Sequence, residues 1–145
     1  MTRYVFSAVI LIAGILATAQ APVNAALAKR SGPLQAVVVS FAVGTLALLL
    51  VALAAGRLAP AELRGVPWWQ FTGGLMGAVV VLSTTRLMPR LGALAATAAL
   101  VAGQFIGGAV IDRFGLIGMP VVQLTWSRLV GLGLLTLGGF FVLRR

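Results

Sequence analysis

Residues 91–115 read LGALAATAALVAGQFIGGAVIDRFG, and this stretch indicates the fold class. About 20 apolar residues in a helix, at about 1.5 Å each, cross the hydrocarbon core of a bilayer. Small side chains recur at every fourth position: Ala95, Ala99, Gly103 and Gly107. Because no hydrophobic force drives helices together in lipid, small residues that allow close backbone approach are typical of packed membrane helices. The stretch therefore predicts a packing helix with Gln104 at membrane depth and Asp112 near its end.

The composition of the whole chain is that of a membrane protein. Of its 145 residues, 61% are hydrophobic and 9% are charged, and the mean hydropathy is +1.10. Soluble domains contain about 45–50% apolar and about 25% charged residues. Together with continuous apolar runs of span length, these values predict an all-α integral membrane protein.

The chain lacks the side chains that most enzymes use. It contains no cysteine and no histidine, and its acidic residues are Glu62 and Asp112. Metal sites built on Cys and His, Ser-His-Asp triads and Cys nucleophiles are therefore excluded. The two carboxylates lie in different predicted loops, so they make a poor acid–base pair within one chain. We predict no enzymatic activity, no metal site and no cofactor.

The formal net charge of +9 does not indicate a nucleic-acid protein. Its eleven Lys and Arg residues fall in ones and twos at the ends of apolar runs, whereas nucleic-acid proteins gather them in a stripe or patch. Basic residues at such positions are typical of contacts with lipid headgroups. We therefore expect the lipid bilayer, and no nucleic acid, as a partner.

Five apolar runs predict five transmembrane helices within a single transmembrane domain, residues 1–145. The spans are about 4–28, 34–55, 67–88, 93–111 and 123–143. The first run resembles a secretory signal, but Pro22 follows directly after the cleavage-like site and the apolar run continues to Ala28. We therefore expect it to remain as an uncleaved helix.

Small residues also recur in the other predicted helices. The second carries Ser40 and Gly44, and the third carries Gly73 and Gly77. Such positions suit tight helix packing, either within the chain or against a partner.

The Lys and Arg residues near the spans do not favour one orientation. One side of the membrane would carry five of them and the other side six. The positive-inside rule needs an imbalance, so the chain is expected to insert both ways. Two oppositely inserted copies of five helices would have a two-fold axis in the membrane plane, which is the symmetry of inverted-repeat transporters.

Two predicted helices carry amides at membrane depth. Gln20 and Asn24 flank Pro22 in the first helix, where proline should kink or loosen the backbone, and Gln104 lies in the fourth. Amides beside a disrupted backbone are what a midplane binding site uses. The alternative is an interhelical hydrogen bond that only stabilises the bundle, worth about 0.6–2 kcal/mol.

Arg128 is the other embedded polar residue, five residues into the predicted fifth helix, or roughly 8 Å along it. An embedded charge is a candidate functional residue, so we predict Arg128 as a substrate-binding residue beside Gln20, Asn24 and Gln104. It could pair with Asp112, and the alternative is that it reaches the headgroups by snorkelling. No carboxylate lies in the middle of a predicted helix, so a neutral, amphipathic or anionic small molecule is the expected substrate.

Four segments carry a family resemblance. They are QAPVNAALAKRSGPLQAVVVSFAVGTLALL, WWQFTGGLMG, MPRLGALAATAALVAGQFIGGAVIDRFG and SRLVGLGLLTLGG. In their order and spacing the chain resembles the YdcZ-like family of bacterial inner-membrane proteins, in the drug/metabolite transporter superfamily. It is also distantly similar to small multidrug resistance transporters, although their first-helix glutamate is replaced here by amides.

The resemblance implies a five-helix half of a ten-helix inverted-repeat transporter in the bacterial inner (cytoplasmic) membrane. It also implies that five family-typical polar positions are Gln20, Asn24, Gln104, Asp112 and Arg128 of this chain. We therefore predict a small-molecule exporter that works as an antiparallel homodimer with a midplane cavity. The alternatives are an oppositely oriented paralogue as partner, a dual-topology channel, and an accessory or structural subunit that transports nothing.

We expect a reporter attached to the C-terminus to be found on both sides of the membrane, because the basic residues favour neither orientation. The measurement uses two reporters, one active only outside the cytoplasm and one active only inside. A reporter found on one side alone would refute dual insertion and favour a fixed topology.

Overall fold

The structure is a computed structural model that describes residues 2–144, without the side chains of residues 2, 3 and 60. It has five α-helices: α1 (Thr2–Ser31), α2 (Pro33–Ala54), α3 (Gly73–Leu91), α4 (Ala93–Phe114) and α5 (Trp126–Leu143). Short 3-10 helices occupy Pro60–Leu63, Trp68–Thr72 and Leu116–Gly118. Each of the five, the third counted from Trp68, is long and apolar enough to cross a membrane, and the described residues contain no strand. The prediction of an all-α, five-span membrane protein is confirmed.

The chain divides into two compact units, Met1–Arg90 and Leu91–Arg145. The first unit contains α1, α2 and α3, and the second contains α4 and α5. The single transmembrane domain that the sequence suggests stays a prediction.

In the first unit, α1 and α2 are joined by one glycine. Gly32 has φ 84° and ψ 155°, and its amide donates to the Ala28 carbonyl at 2.8 Å. Glycine tolerates this positive φ, and proline suits the first position of a helix, so Pro33 can start α2 immediately. The helix α1 runs to Ser31, beyond its predicted end at residue 28. The helix also continues through Pro22 without a break.

The buried residues of the first unit are mostly small. They come from all three helices: Ala21, Asn24, Ala25, Ala36, Val37, Thr85 and Met88. Gly77 of α3 faces the Phe41 ring of α2, since a Cβ there would lie 3.8 Å from the ring, which is an ordinary van der Waals distance. A Cβ at Gly44 or Gly73 would meet no other group of the described residues within 4 Å, and Ser40 is half-buried.

In the second unit, α4 packs against α5. The approach is close at Gly139, where a Cβ would lie 3.7 Å from the Ala98 carbonyl oxygen. The small stripe of α4 does not make this contact. Gly103 and Gly107 are exposed, with open space where a Cβ would be, and Ala99 is exposed as well. What this stripe packs against therefore stays a prediction.

Several helix boundaries differ from the sequence prediction. The fourth helix runs to Phe114 and not to residue 111, so Asp112 lies in its last turn and not in a loop. The third helix continues through Pro89 to Leu91, and the turn is made by Gly92 alone, with φ 86°. The third span opens with the 3-10 helix Trp68–Thr72. The fifth helix begins at Trp126 and not near residue 123, because Thr125 has the extended conformation and residue type of an N-cap.

The connection from α4 to α5 is tightly folded. Gly115 ends α4 in the left-handed conformation, with φ 60°, and its amide donates to the Ile111 carbonyl. Ile117 has φ 60° as well, which is unusual for a β-branched residue. The Val122 amide then donates to the Asp112 carbonyl at 2.8 Å, which ties the connection back to the last turn of α4.

We expect Gly115→Ala to destabilise the chain more than Gly118→Ala. Both residues have positive φ, so each substitution should cost about 1–2 kcal/mol of backbone strain. A Cβ at Gly115 would also lie 2.7 Å from Val121 Cγ2, whereas none of the described residues crowds Gly118. Overpacking should add about 1–3 kcal/mol to the loss of unfolding free energy, measured by reversible unfolding in detergent.

The variant Gly115→Ala with Val121→Ala is the control for this crowding, because it removes the methyl group that the new Cβ would meet. It should recover part of the loss. Equal destabilisation by Gly115→Ala and Gly118→Ala would contradict the expectation.

Candidate functional site

An open groove runs between α4 and α5, and we name it the α4–α5 groove. Its volume is about 380 Å³, within the range of about 300–1,000 Å³ typical of small-molecule sites. The polar residues that line it are Gln104, Asp112 and Arg128. Most of the remaining wall is apolar and comes from both helices, with Phe105, Leu132 and Leu135 among its side chains.

The helical spacing of these residues explains the groove. Gln104, Gly108 and Asp112 are four residues apart, so they share one face of α4. Arg128, Gly131 and Leu135 share a face of α5 in the same way. The two glycines leave open space, because a Cβ at Gly108 or Gly131 would meet no other described group within 4 Å. The groove is therefore a consequence of small residues where the two helices face each other.

The ends of the two helices are joined by an ion pair. Arg128 Nη1 lies 3.3 Å from Asp112 Oδ2, in a single contact. The arginine lies in the first turn of α5, nearer the end of the helix than the sequence predicted. A cation is disfavoured at a helix N-terminus, so the neighbouring carboxylate offsets an otherwise unfavourable position. The structure thus contains the ion pair of Arg128 with Asp112, and contact of Arg128 with the headgroups stays a prediction.

The backbone also holds this end of the groove together. The hydrogen bond from the Val122 amide satisfies one of the last carbonyls of α4, which would otherwise have no helical partner. Thr125 precedes α5 at the N-cap position without a side-chain capping bond, and its carbonyl accepts from the amides of Arg128 and Leu129. Sequence reasoning missed Val122, because a backbone donor in a loop leaves no side-chain signature.

Gln104 lies near the middle of α4 and is exposed. Its side-chain amide makes no hydrogen bond to another residue within 2–144. The side chain therefore keeps its donors and acceptor available in the wall of an apolar groove. This is the chemistry of a binding site that fixes the orientation of a small molecule.

Gln20 and Asn24 lie one turn apart on α1, but their surroundings differ. Gln20 is exposed, whereas Asn24 is 3% exposed and its Nδ2 has no hydrogen-bond partner among the described residues. A buried donor without a partner costs about 1–3 kcal/mol. Asn24 therefore has unused hydrogen-bonding capacity. These two amides belong to the first unit and Gln104 to the second, so a cavity that all three share stays a prediction.

Thr85 is buried and polar like Asn24, but sequence reasoning missed it. It is 2% exposed, and its Oγ1 has no hydrogen-bond partner among the described residues. Its position in the run STTR of an otherwise apolar helix was the available signal, but hydroxyls in helices usually bond to their own backbone.

Comparison with known proteins identifies a family and a curated relative of this chain. Residues 5–141 match the family described as "Putative inner membrane exporter, YdcZ". The "Inner membrane protein YdcZ" of Escherichia coli (strain K12) is 36% identical over 80 residues, which are 55% of this chain and 53% of the relative. The chain thus matches about half the length of that protein. No solved structure matches the chain.

We expect the Asp112–Arg128 pair to contribute little to folding stability. Its side chains are 38% and 50% exposed, and exposed ion pairs typically contribute about 0–1 kcal/mol. A double-mutant cycle with Asp112→Asn and Arg128→Gln, measured by unfolding in detergent, should give a coupling below about 1 kcal/mol. The matched control pairs Asp112→Asn with Arg113→Gln and should give none. A coupling above about 2 kcal/mol would instead indicate a pair shielded from water.

Proposed function

The chain belongs to the YdcZ family of inner-membrane exporters, and from this membership we propose that it is one half of a small-molecule exporter. It is a multi-pass protein of the inner membrane. Two copies inserted in opposite orientations form a ten-helix transporter, which exports a neutral, amphipathic or anionic molecule. The substrate binds near the membrane midplane and is exposed to each side in turn.

The α4–α5 groove is the observation that carries this proposal. It has the volume of a small-molecule site, a largely apolar wall and an available amide, Gln104, at the middle of a span. Polar groups at this depth are costly in lipid and therefore indicate function. The groove is open along one side, so a neighbouring helix could complete it.

The low burial of the spans supports a second copy as that neighbour. At most 11% of the residues in any spanning window are buried, and in α5 none are. The stripe Ala95, Ala99, Gly103 and Gly107 offers a surface on which another helix can pack closely. Asn24 offers a donor that has no partner among residues 2–144. A partner helix would cover the stripe, and either a partner helix or a substrate would accept a hydrogen bond from Asn24.

The distribution of charge supports the antiparallel arrangement and the class of substrate. Five basic residues against six leave the chain without a strong orientation. The one positive charge that lines the α4–α5 groove is balanced by Asp112, and no carboxylate lies at mid-span to attract a cation. The groove therefore suits a neutral or amphipathic molecule, and Arg128 can receive an anionic group.

We expect cells that express the chain to enrich at least one small solute in their medium, and Gln104→Leu to reduce this export about tenfold. The reason is that one lost hydrogen bond in an apolar site weakens binding by about that factor. Mass spectrometry identifies the solute by comparing the medium of these cells with the medium of cells that carry an empty vector. Saturable flux of that solute into proteoliposomes containing only this protein then separates a transporter from a channel.

The matched control is Gln35→Leu, which makes the same change at an exposed position of α2 outside the groove. Asn24→Leu is a second test, because it removes a donor without a partner and should abolish flux without loss of the dimer. If Gln104→Leu and Asn24→Leu changed only stability, the chain would be a structural or accessory subunit.

A further inference from the structure

A second cavity lies within the first unit, and we name it the basic cavity. Its volume is about 590 Å³. It is lined by the end of α1, the first residue of α2 and the last turns of α3, and its polar side chains are Lys29, Thr85, Arg86 and Arg90. Because Lys29 and Arg90 lie within two residues of their helix ends, the cavity is at the level of the headgroups.

The positive charge of the basic cavity has no acidic counterpart. No carboxylate lines it. Glu62 lies beyond the far end of α2, a helix of 22 residues and therefore roughly 33 Å long. Asp112, the other acidic residue, belongs to the second unit and pairs with Arg128. Three cations around one cavity repel each other unless an anion lies between them.

Thr85 is the second observation that indicates a ligand. Three other helical threonines, Thr18, Thr84 and Thr136, donate to the carbonyl four residues earlier at 2.8–3.0 Å. Thr45 and Thr97 make no such bond, but neither of them is buried. Thr85 makes no such bond although it is 2% exposed, and its Oγ1 has no partner among the described residues. A buried hydroxyl in the wall of a basic cavity can donate to an anion held there.

Pro33, the first residue of α2, lines the cavity, and the two residues after it carry backbone amides. Gly32, the N-cap residue of α2, provides no side-chain cap, and the Ala36 amide is the first that donates back to the Gly32 carbonyl. The amides of Leu34 and Gln35 therefore have no helical acceptor. Such a helix end favours an anion through its free N–H groups and its dipole.

We propose that the basic cavity binds a phosphate group through Lys29, Arg86, Arg90 and the Thr85 hydroxyl. The phosphate belongs either to the headgroup of an anionic phospholipid or to a free phosphate-bearing solute. Guanidinium groups, an ammonium group and a hydroxyl together satisfy several phosphate oxygens. This site lies in the first unit and does not involve the groove between α4 and α5.

The experiment uses the full chain in nanodiscs of phosphatidylcholine and measures the midpoint of thermal unfolding. In one arm phosphatidylglycerol replaces part of the lipid, and in the other inorganic phosphate replaces chloride at equal ionic strength. A ligand of the folded state raises the midpoint as its concentration increases. A rise in the first arm alone identifies a lipid headgroup, and a rise in the second identifies a free phosphate. No rise in either arm overturns the proposal.

The test variant combines Lys29→Gln, Arg86→Gln and Arg90→Gln. Its matched control combines Arg30→Gln, Arg57→Gln and Arg64→Gln, which remove equal charge from residues that do not line the cavity. The test variant should weaken binding on the order of a hundredfold, because each cation near an anionic surface contributes roughly fivefold. Equal weakening in the control would overturn the proposal, since it would show only a general effect of charge.

Thr85 separates a built site from a cluster of surface charges. Thr85→Val removes the hydroxyl at nearly constant shape and should weaken binding about three- to tenfold. Thr85→Ser keeps the hydroxyl and should bind with the original affinity. Because Thr85→Val removes a buried group without a partner, the variant should remain folded without ligand. Unchanged affinity in Thr85→Val would contradict the role of this residue.

Discussion

The absence of water from the bilayer core is the constraint on which this structure depends. Each backbone N–H and C=O within a span must be bonded inside its own helix, so the chain forms five long helices and confines irregular backbone to the ends. Two of the four connections between these helices are one residue long. Gly32 and Gly92 each end one helix and begin the next with nearly the same backbone angles. Their missing side chains are what make a one-residue turn possible.

The same constraint gives meaning to the polar groups that stay without partners. In a soluble protein, water would satisfy the hydrogen bonds of an exposed amide such as Gln104. At the middle of a span the same amide needs a partner helix, a ligand or a hydrated cavity. Asn24 and Thr85 show the same condition in the first unit. Together with spans that bury at most 11% of their residues, these groups describe a chain whose interactions extend beyond itself.

The sequence predicts the helices well and their ends less well. Apolar runs define the five spans, and the pairing of Asp112 with Arg128 could be anticipated because both residues lie near the same membrane side. The boundaries predicted near residues 88 and 123 differ from the structure, because the third helix continues through Pro89 and the fifth helix begins only after Thr125. The sequence could not show what the stripe with Gly103 packs against, nor that Thr85 is buried. Both depend on tertiary contacts that periodicity does not specify.

The link between Val122 and Asp112 has an evolutionary consequence. The α4–α5 connection is held by the carbonyl of Asp112, a group that every residue type supplies, whereas its carboxylate contacts Arg128. The shape of the hairpin formed by α4 and α5 and the charge at the connected ends of these helices can therefore be selected separately. Relatives could exchange the acid for another polar residue, and so change what the groove admits, while the hairpin that carries it keeps its geometry.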